Sequence, residues 1–351
     1  MRWLWTVALL AACGGRTMTI DEVILPDAGP PPVPPCDVDL LFVVDDSATM
    51  EEEQEILADA LPDTLAAFRD AAHAPSSVQI GVVTTDLGAG GVSLPTCETT
   101  TGRDGVLQTL GADLPGCLRA YPPFLRFLPS APSSSPDETG QDLRCLTMRG
   151  TAGCGFEQPF EAALKALTPA TSATTFMMGT RGHGDGANFG FLREGSILAI
   201  VVLSDEDDCS AAEPGLFDSG NPAYSSPLNL RCGLYPTALH AIRRYADGFR
   251  VLRPERLVFA AIAGIPVDLV ADPDAVDYDR VLDDPRMLVS VDPDDDNVLA
   301  PACNDETRGR ATPGRRMTEL ARTLGDAGLL ASICQDDLRA PLVGMVQRVE
   351  R

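Results

Sequence analysis

Nearly continuous apolar runs alternate along the chain with segments in which apolar residues recur every three or four positions. A run that is apolar at almost every position is typical of a strand buried on both faces, as in a parallel sheet. The spacing of Leu57, Leu61, Leu65 and Phe68 is typical of one face of a helix. Strands are therefore predicted at 38–44, 78–84, 197–203, 257–265 and 329–333, and helices at about 51–72, 156–167, 236–249, 315–324 and 337–349. Strands that alternate with helices predict an α/β fold with a doubly wound, mostly parallel sheet and helices on both faces.

Three long segments interrupt this alternation, at about 87–150, 168–195 and 266–311. The first is rich in Gly, Ser, Pro and Cys, which predicts an insertion held by disulfides. Loops of this length are usually functional or covering structures. With 44% apolar residues, the chain can bury a sizeable core. Residues 36–351 are predicted to form one domain enlarged by these insertions.

The cysteine content favours disulfides over a zinc site. The chain has ten cysteines but no C-x-x-C, and its three histidines do not cluster in the sequence. Proximity along the chain favours a set of pairs that remains a hypothesis, because sequence alone does not define connectivity. The predicted pairs are Cys97–Cys117, Cys145–Cys154, Cys209–Cys232 and Cys303–Cys334, with Cys36 left over.

The first 35 residues predict export and a tether. Arg2 precedes a ten-residue apolar run, which is too short to cross a bilayer and suits a signal peptide. The run ends at Cys13 and resembles the lipobox of bacterial lipoproteins, which implies a signal peptide at 1–12 and lipidation of Cys13. Cleavage near Ala12 without lipidation is the alternative. The Pro-rich segment 13–35 predicts an extended tether between membrane and domain.

The net charge of the chain limits the classes of partner that are expected. Asp and Glu number 51 against 27 Lys and Arg, so the formal net charge is −24. Such a chain repels nucleic acid, and cations or basic and neutral surfaces are the expected partners. The chain also lacks G-x-S-x-G and Walker motifs, and Ser204, Asp205 and His240 make a poor catalytic triad. An enzyme is therefore not predicted.

Two of the predicted strands end in acid-rich loops. Residues 45–50 read Asp-Asp-Ser-Ala-Thr-Met, and residues 204–209 read Ser-Asp-Glu-Asp-Asp-Cys. In doubly wound sheets, ligands bind beyond the carboxyl ends of the strands. If the two strands are neighbours, their carboxylates and hydroxyls form an oxygen-only set, which suits a hard cation such as Mg²⁺.

The spacing Asp45-x-Ser47-x-Thr49 after the first strand resembles the metal-ion-dependent adhesion site of the von Willebrand factor type A domain. That family's pattern is D-x-S-x-S, and Thr49 keeps the hydroxyl group of the second Ser. The resemblance covers about 36–350. It implies that Ser47 and Thr49 bind Mg²⁺, Mn²⁺ or Ca²⁺ directly, and that Asp45 and Asp205 bind it directly or through water. It also implies a protein partner whose acidic group takes the remaining coordination position.

Other residues around this site carry open alternatives. The family supplies a Thr from the loop before a middle helix, and Glu157 is the nearest candidate here. If the Glu157 side chain faces the site, it makes the site more negative and weakens the need for an acidic partner. The alternative is that the Glu157 side chain points away from the site. Asp46, Asp86 and Glu206 are predicted at the rim, although Asp86 could simply start a turn. A further alternative is that Asp45 and Ser47 only cap the following helix.

Together these features predict a cell-envelope lipoprotein with a metal-dependent, protein-binding or adhesive type A domain. It would be anchored in the outer membrane by its lipid alone and would face either the periplasm or the exterior. One alternative is a metal that only stabilises the fold while the insertions bind the partner. Another is a secreted hydrolase.

Overall fold

A computed structural model describes residues 36–305 and 309–350. The predicted signal peptide, the lipidated Cys13 and the tether lie outside the described residues and remain predictions. None of the helices in the described part of the chain is long and apolar enough to span a membrane.

One mostly parallel sheet forms the centre of the fold. Its six strands follow the order β3-β2-β1-β4-β5-β8, and only β3 runs antiparallel to its neighbour. The strands are β1 (Val38–Val44), β2 (Val78–Thr84), β3 (Leu125–Phe127), β4 (Ile197–Leu203), β5 (Leu257–Ala263) and β8 (Gly328–Ser332), and a separate hairpin comprises β6 (Cys303–Asp305) and β7 (Gly309–Ala311). The prediction of an α/β protein with a mostly parallel sheet is confirmed.

Two apolar cores explain the apolar runs. Every residue of β1, β2, β4 and β5 is buried, since side chains of one strand alternate between the two faces of the sheet. On β1, Phe42 packs into one core and Leu41 into the other. The helices that cover the sheet and its edges are α1 (Glu51–Asp70), α2 (Pro136–Thr147), α3 (Pro159–Leu167), α4 (Arg231–Leu234), α5 (Arg243–Leu252), α6 (Tyr278–Asp283), α7 (Arg315–Leu324) and α8 (Arg339–Val349). Residues of α1, α2 and α8 line the first core, and residues of α3, α5 and α7 line the second.

Tertiary contacts change two of the predicted elements. The segment 87–150, predicted as an insertion, contains both β3, which extends the sheet, and α2, which packs against α1. The helix predicted at 236–249 begins only at Arg243. Leu239 forms a β-bridge to Ala211 instead, and this pairing keeps the preceding residues out of the helix.

The observed disulfides correct half of the predicted connectivity. Cys209–Cys232 and Cys303–Cys334 are paired as proximity suggested. The predicted pairs Cys97–Cys117 and Cys145–Cys154 are wrong, because the structure joins Cys97 to Cys154 and Cys117 to Cys145. Ala112 donates to the Cys145 carbonyl and Gly155 to the Thr96 carbonyl, so the chain folds back and brings the more distant cysteines together. Within the described residues, Cys36 is the cysteine without a disulfide.

Buried ion pairs attach the insertions to the sheet and its helices. Lys165 of α3, the chain's single lysine, donates to Asp104 of the first insertion and to Thr180 of the second. Asp39 in β1 is fully buried and accepts from the Arg193 backbone N–H and Nε, each at 2.7 Å. Burial raises the pKa of Asp39, and the hydrogen bonds from Ser196 and Arg193 oppose this rise.

We expect Arg193→Met to lower the free energy of unfolding by about 3 kcal/mol, because it leaves the buried Asp39 carboxylate without its cation. Urea unfolding with the disulfides intact measures this change. The matched control is Arg322→Met, which removes an exposed pair with Asp279 and should change stability by less than about 1 kcal/mol. Equal effects of the two variants would contradict a supporting role for the buried pair.

Candidate functional site

The two acid-rich loops meet at one edge of the sheet. β1 and β4 are parallel neighbours, and Val44 pairs with Leu203 at their ends. The Asp45 backbone N–H then donates to the Leu203 carbonyl oxygen at 3.0 Å. β2 and β4 flank β1 on opposite sides, so the chain progresses in opposite directions from β1. In parallel α/β sheets, such a reversal point is where ligands bind.

Hydrogen bonds join the four residues of the predicted ligand set in two pairs, Thr49 with Asp205 and Ser47 with Asp45. The Thr49 hydroxyl donates to Asp205 Oδ2 at 2.6 Å. The Ser47 amide donates to Asp45 Oδ1 at 2.8 Å, and the Ser204 hydroxyl donates to Asp45 Oδ2 at 2.6 Å. Both carboxylate oxygens of Asp45 are therefore already engaged, whereas Asp205 keeps one oxygen free of such contacts.

The alternative in which Asp45 and Ser47 only cap the first helix is wrong. Met50 occupies the N-cap position of α1, and no side chain in the described part of the chain caps it. Asp45 instead folds the turn that follows β1 by accepting from the Ser47 amide. Capping of α1 therefore does not explain the residues of this turn.

Several oxygen atoms at this edge are buried and lack partners. Ser47 Oγ, Asp205 Oδ1 and Glu157 Oε1 accept no hydrogen bond from any of the described residues. Leaving such an acceptor buried and unpaired costs about 1–3 kcal/mol. Burial, with the negative charge of Asp45 nearby, raises the pKa of Asp205 well above its usual range. The arrangement is therefore one that a cation or a hydrogen-bond donor would stabilise.

Glu157 faces the site. Its carboxyl group is 1% exposed and lies against that of Glu206, which reaches the surface. Burial, followed by the negative charges of Glu206 and Asp45, raises the pKa of Glu157 well above its usual range. Glu157 therefore lies beside Ser47 and Thr49 of the predicted ligand set.

A cavity of about 450 Å³ opens above these residues. Ser47, Thr49, Glu157 and Glu206 line its floor and walls. Asp46 and Asp86, the other two predicted rim residues, do not line this cavity.

The other predicted rim residues are buried beside the cavity. Burial, followed by the negative charge of Asp86, raises the pKa of Asp46 to about 7. Asp86 Oδ1 accepts from the Gly88 amide at 2.8 Å, which is the turn contact that the sequence left as an alternative. The Asp46 carbonyl oxygen accepts from the Gly153 amide at 2.7 Å. Gly153 has to lack a side chain, because a Cβ atom there would lie 2.3 Å from Asp46 Oδ1.

Sequence reasoning missed Gln54, which holds two loops of the site together. This fully buried side chain of α1 donates to the carbonyl oxygens of Asp45 at 2.7 Å and Gly150 at 3.0 Å. Its Oε1 accepts from the Arg149 and Gly150 amides. A single Gln within a helical pattern carries no signal of this role, since its partners lie far along the chain.

Two disulfides fix the loops on either side of the cavity. Cys154 lies three residues before Glu157 and is joined to Cys97, and Cys209 lies three residues after Glu206 and is joined to Cys232. Cys209 also donates its amide hydrogen to the Glu157 carbonyl oxygen at 2.7 Å. The two carboxyl-bearing loops are thereby held against each other.

The residues considered for a catalytic triad do not meet. The Ser204 hydroxyl is buried and donates to Asp45, as described above. His240 lies 3.8 Å from the carboxylate of Glu161 instead. Among the described residues, no group of three or more His, Cys, Asp or Glu side chains forms a metal-binding cluster, so a metal here would depend on the Ser and Thr hydroxyls as well.

Comparison with known proteins gives only distant likenesses. No protein-family profile and no curated protein matches the chain. Proximal thread matrix protein 1 from the mussel byssus matches 65% of this chain and 38% of its own, at 11% identity and a TM-score of 0.27. The open conformation of the pilus adhesin SpaC from Lactobacillus rhamnosus GG matches 52% of this chain and 16% of its own, at 13% identity and a TM-score of 0.25. The chain thus spans less than half of each of these proteins, and the likenesses carry no argument.

We expect Gln54→Leu to destabilise the protein by at least about 2 kcal/mol, because it leaves the carbonyl oxygen of buried Asp45 unpaired and releases the loop at Arg149 and Gly150. Urea unfolding monitored by near-UV circular dichroism measures this loss. Gln141→Leu on the exposed face of α2 is the matched control and should stay within about 0.5 kcal/mol of the wild type. A Gln54 variant as stable as this control would exclude the positioning role.

Proposed function

We propose that this protein binds a divalent cation at the ends of β1 and β4 and uses that cation to bind another protein. The observation that carries the proposal is the pair of buried, unpaired oxygens Ser47 Oγ and Asp205 Oδ1. They belong to the sequence pattern that resembles the adhesion site of the type A domain. Oxygen-only donor sets suit Mg²⁺ best, and Mn²⁺ or Ca²⁺ are the other candidates.

Each residue of the set has a distinct role in this proposal. Ser47 and Asp205 would bind the cation through their unpaired oxygens. Thr49 would bind it through its hydroxyl oxygen and would still donate its hydroxyl hydrogen to Asp205 Oδ2. Asp45 is held by Ser204 and by the Ser47 amide, so it would act through a bound water. The cation would offer its remaining position to an oxygen atom of the partner.

The type of domain, the compartment and the membrane anchor of the protein belong to the same proposal. The strand order and the helices on both faces support a doubly wound domain of the type A kind. The four disulfides support an oxidising compartment, as the cell envelope provides. A lipid anchor at Cys13 in the outer membrane would then present the domain to its partner, without a catalytic role.

In a second candidate role, the metal only stabilises the fold. This role is favoured because the carboxyl groups of Asp45, Asp205 and Glu157 lie close together and repel one another in the absence of a cation. A ligand present at 100 times its dissociation constant stabilises the native state by about 2.7 kcal/mol. A structural metal therefore predicts a large loss of thermal stability in EDTA. For the binding role, we expect the protein to remain folded in EDTA and to lose only its partner.

We expect Asp45→Ala to weaken Mg²⁺ binding by about tenfold to a hundredfold, because the lost carboxylate orients both the water ligand and the Ser47 turn. Calorimetric titration of Mg²⁺ into the purified protein measures this change, with Mn²⁺ and Ca²⁺ titrated in parallel. Asp59→Ala, which removes an exposed carboxylate of α1, is the control and should leave the affinity unchanged. No saturable binding of any of the three cations by the wild type would overturn the proposed function.

A further inference from the structure

The cavity above the candidate metal site is acidic. Glu98, Glu157 and Glu206 line it, and no Lys, Arg or His of the described residues does so. Its other polar lining side chains are neutral hydroxyl and amide groups, namely Ser47, Thr49, Thr96, Thr151 and Asn229. Glu98 also pairs with Arg103 at 2.8 Å, and Arg103 itself does not line the cavity.

Unpaired acceptors within the cavity define the group that would complement it. Ser47 is 5% exposed and Glu157 is 1% exposed, and both contribute an oxygen that accepts no hydrogen bond from the described part of the chain. These two unpaired oxygen atoms can accept further hydrogen bonds, so the group that complements them is a hydrogen-bond donor or a cation. A carboxylate of the partner that entered here would add another hydrogen-bond acceptor and would leave these oxygen atoms without a donor.

The charge balance also opposes an acidic partner group. The carboxyl groups of Glu157 and Glu206 line the cavity, and that of Asp205 accepts from Thr49 in the cavity wall, so a cation with two positive charges would already lie near three carboxyl groups. Glu157 thus supplies from within the chain the carboxyl group that the family resemblance expects from the partner. Like charges placed together across an interface are unfavourable. The formal net charge of −24 acts in the same direction at longer range, since it attracts basic surfaces.

We propose that the protein partner inserts a basic side chain, Lys or Arg, into this cavity, where its cationic group pairs with Glu206 and Glu98. The inference rests on the proposed function, since it assigns the chemistry of the partner at the same metal site. The cation would keep the oxygens of Ser47, Thr49 and Asp205, with Glu157 beside them. The basic group would neutralise Glu206 and would share Glu98 with Arg103.

Peptide probes test the chemistry of the entering side chain. Acetylated and amidated pentapeptides Gly-Gly-X-Gly-Gly, with X as Lys, Arg, Gln or Glu, are titrated into the purified protein with Mg²⁺ present. Saturation-transfer NMR measures their affinities. We expect the Lys and Arg peptides to bind at least tenfold more tightly than the Gln and Glu peptides. Added salt should weaken this binding, because part of the attraction is between charges near the surface.

Variants connect the preference to named carboxyl groups. Glu206→Gln and Glu98→Gln should each weaken binding of the Lys peptide by about tenfold. The matched control is Glu55→Gln, which changes an exposed carboxylate of α1 and should leave the affinity for the Lys peptide unchanged. Glu157→Thr restores the hydroxyl that the family has at this place. We expect this variant to gain Mg²⁺-dependent binding of the Glu peptide, because an internal carboxyl group has been removed.

Three outcomes would overturn the inference. The first is that the Glu peptide binds the wild type more tightly than the Lys and Arg peptides do and requires Mg²⁺. The second is that no peptide binds, and the third is that Glu206→Gln and Glu98→Gln leave binding of the Lys peptide unchanged. The Mg²⁺ titration separates this inference from the proposed function. If Mg²⁺ binds and the basic peptides do not, the inference fails and the metal site stands. If the basic peptides bind through Glu206 and Glu98 but no divalent cation binds, the proposed function fails and the preference of the cavity for basic groups stands.

Discussion

The parallel pairing of β1 with β4 is the constraint on which the candidate site depends. The register from Val38–Ile197 to Val44–Leu203 makes the two strands end at the same level. Side chains alternate between the two faces of a sheet, so a slip by one residue would move every side chain of a strand into the opposite core. Both apolar cores resist such a slip, because both faces of these strands are buried. The packing of the cores thereby determines where the acid loops meet.

Sheet register alone would leave the carboxyl groups of these loops repelling one another. Burial and mutual proximity raise the pKa values of Asp205 and Glu157 well above their usual range. Contacts outside the site hold the loops in place against this repulsion, including the buried Gln54 and the disulfides at Cys154 and Cys209. A bound cation would convert the repulsion into attraction, so metal affinity and fold stability should be linked at this site.

Much of the sheet was predictable because the signal is local. A strand buried on both faces contains almost no polar residues, and the predicted ranges 38–44, 78–84 and 197–203 match β1, β2 and β4. Asp45 and Asp205 could be found because each follows one of these runs closely. Gln54 and Gly153 could not be found in this way, because their roles consist of contacts with residues distant in the sequence. Gln54, for example, bonds to Gly150, which is 96 positions away.

The sequence by itself determined the class of fold, the central strands and the two acid-rich loops, since each follows from the order of apolar and polar residues within a short segment. Only the tertiary structure decided which cysteines pair, that β3 joins the sheet from within the first insertion, and that Glu157 shares a cavity with Glu206. A disulfide, a strand pair and a cavity each require close approach in space, and proximity along the chain does not determine it. The chemistry of the loops is therefore encoded locally, whereas the place where it converges depends on the packing of the whole chain.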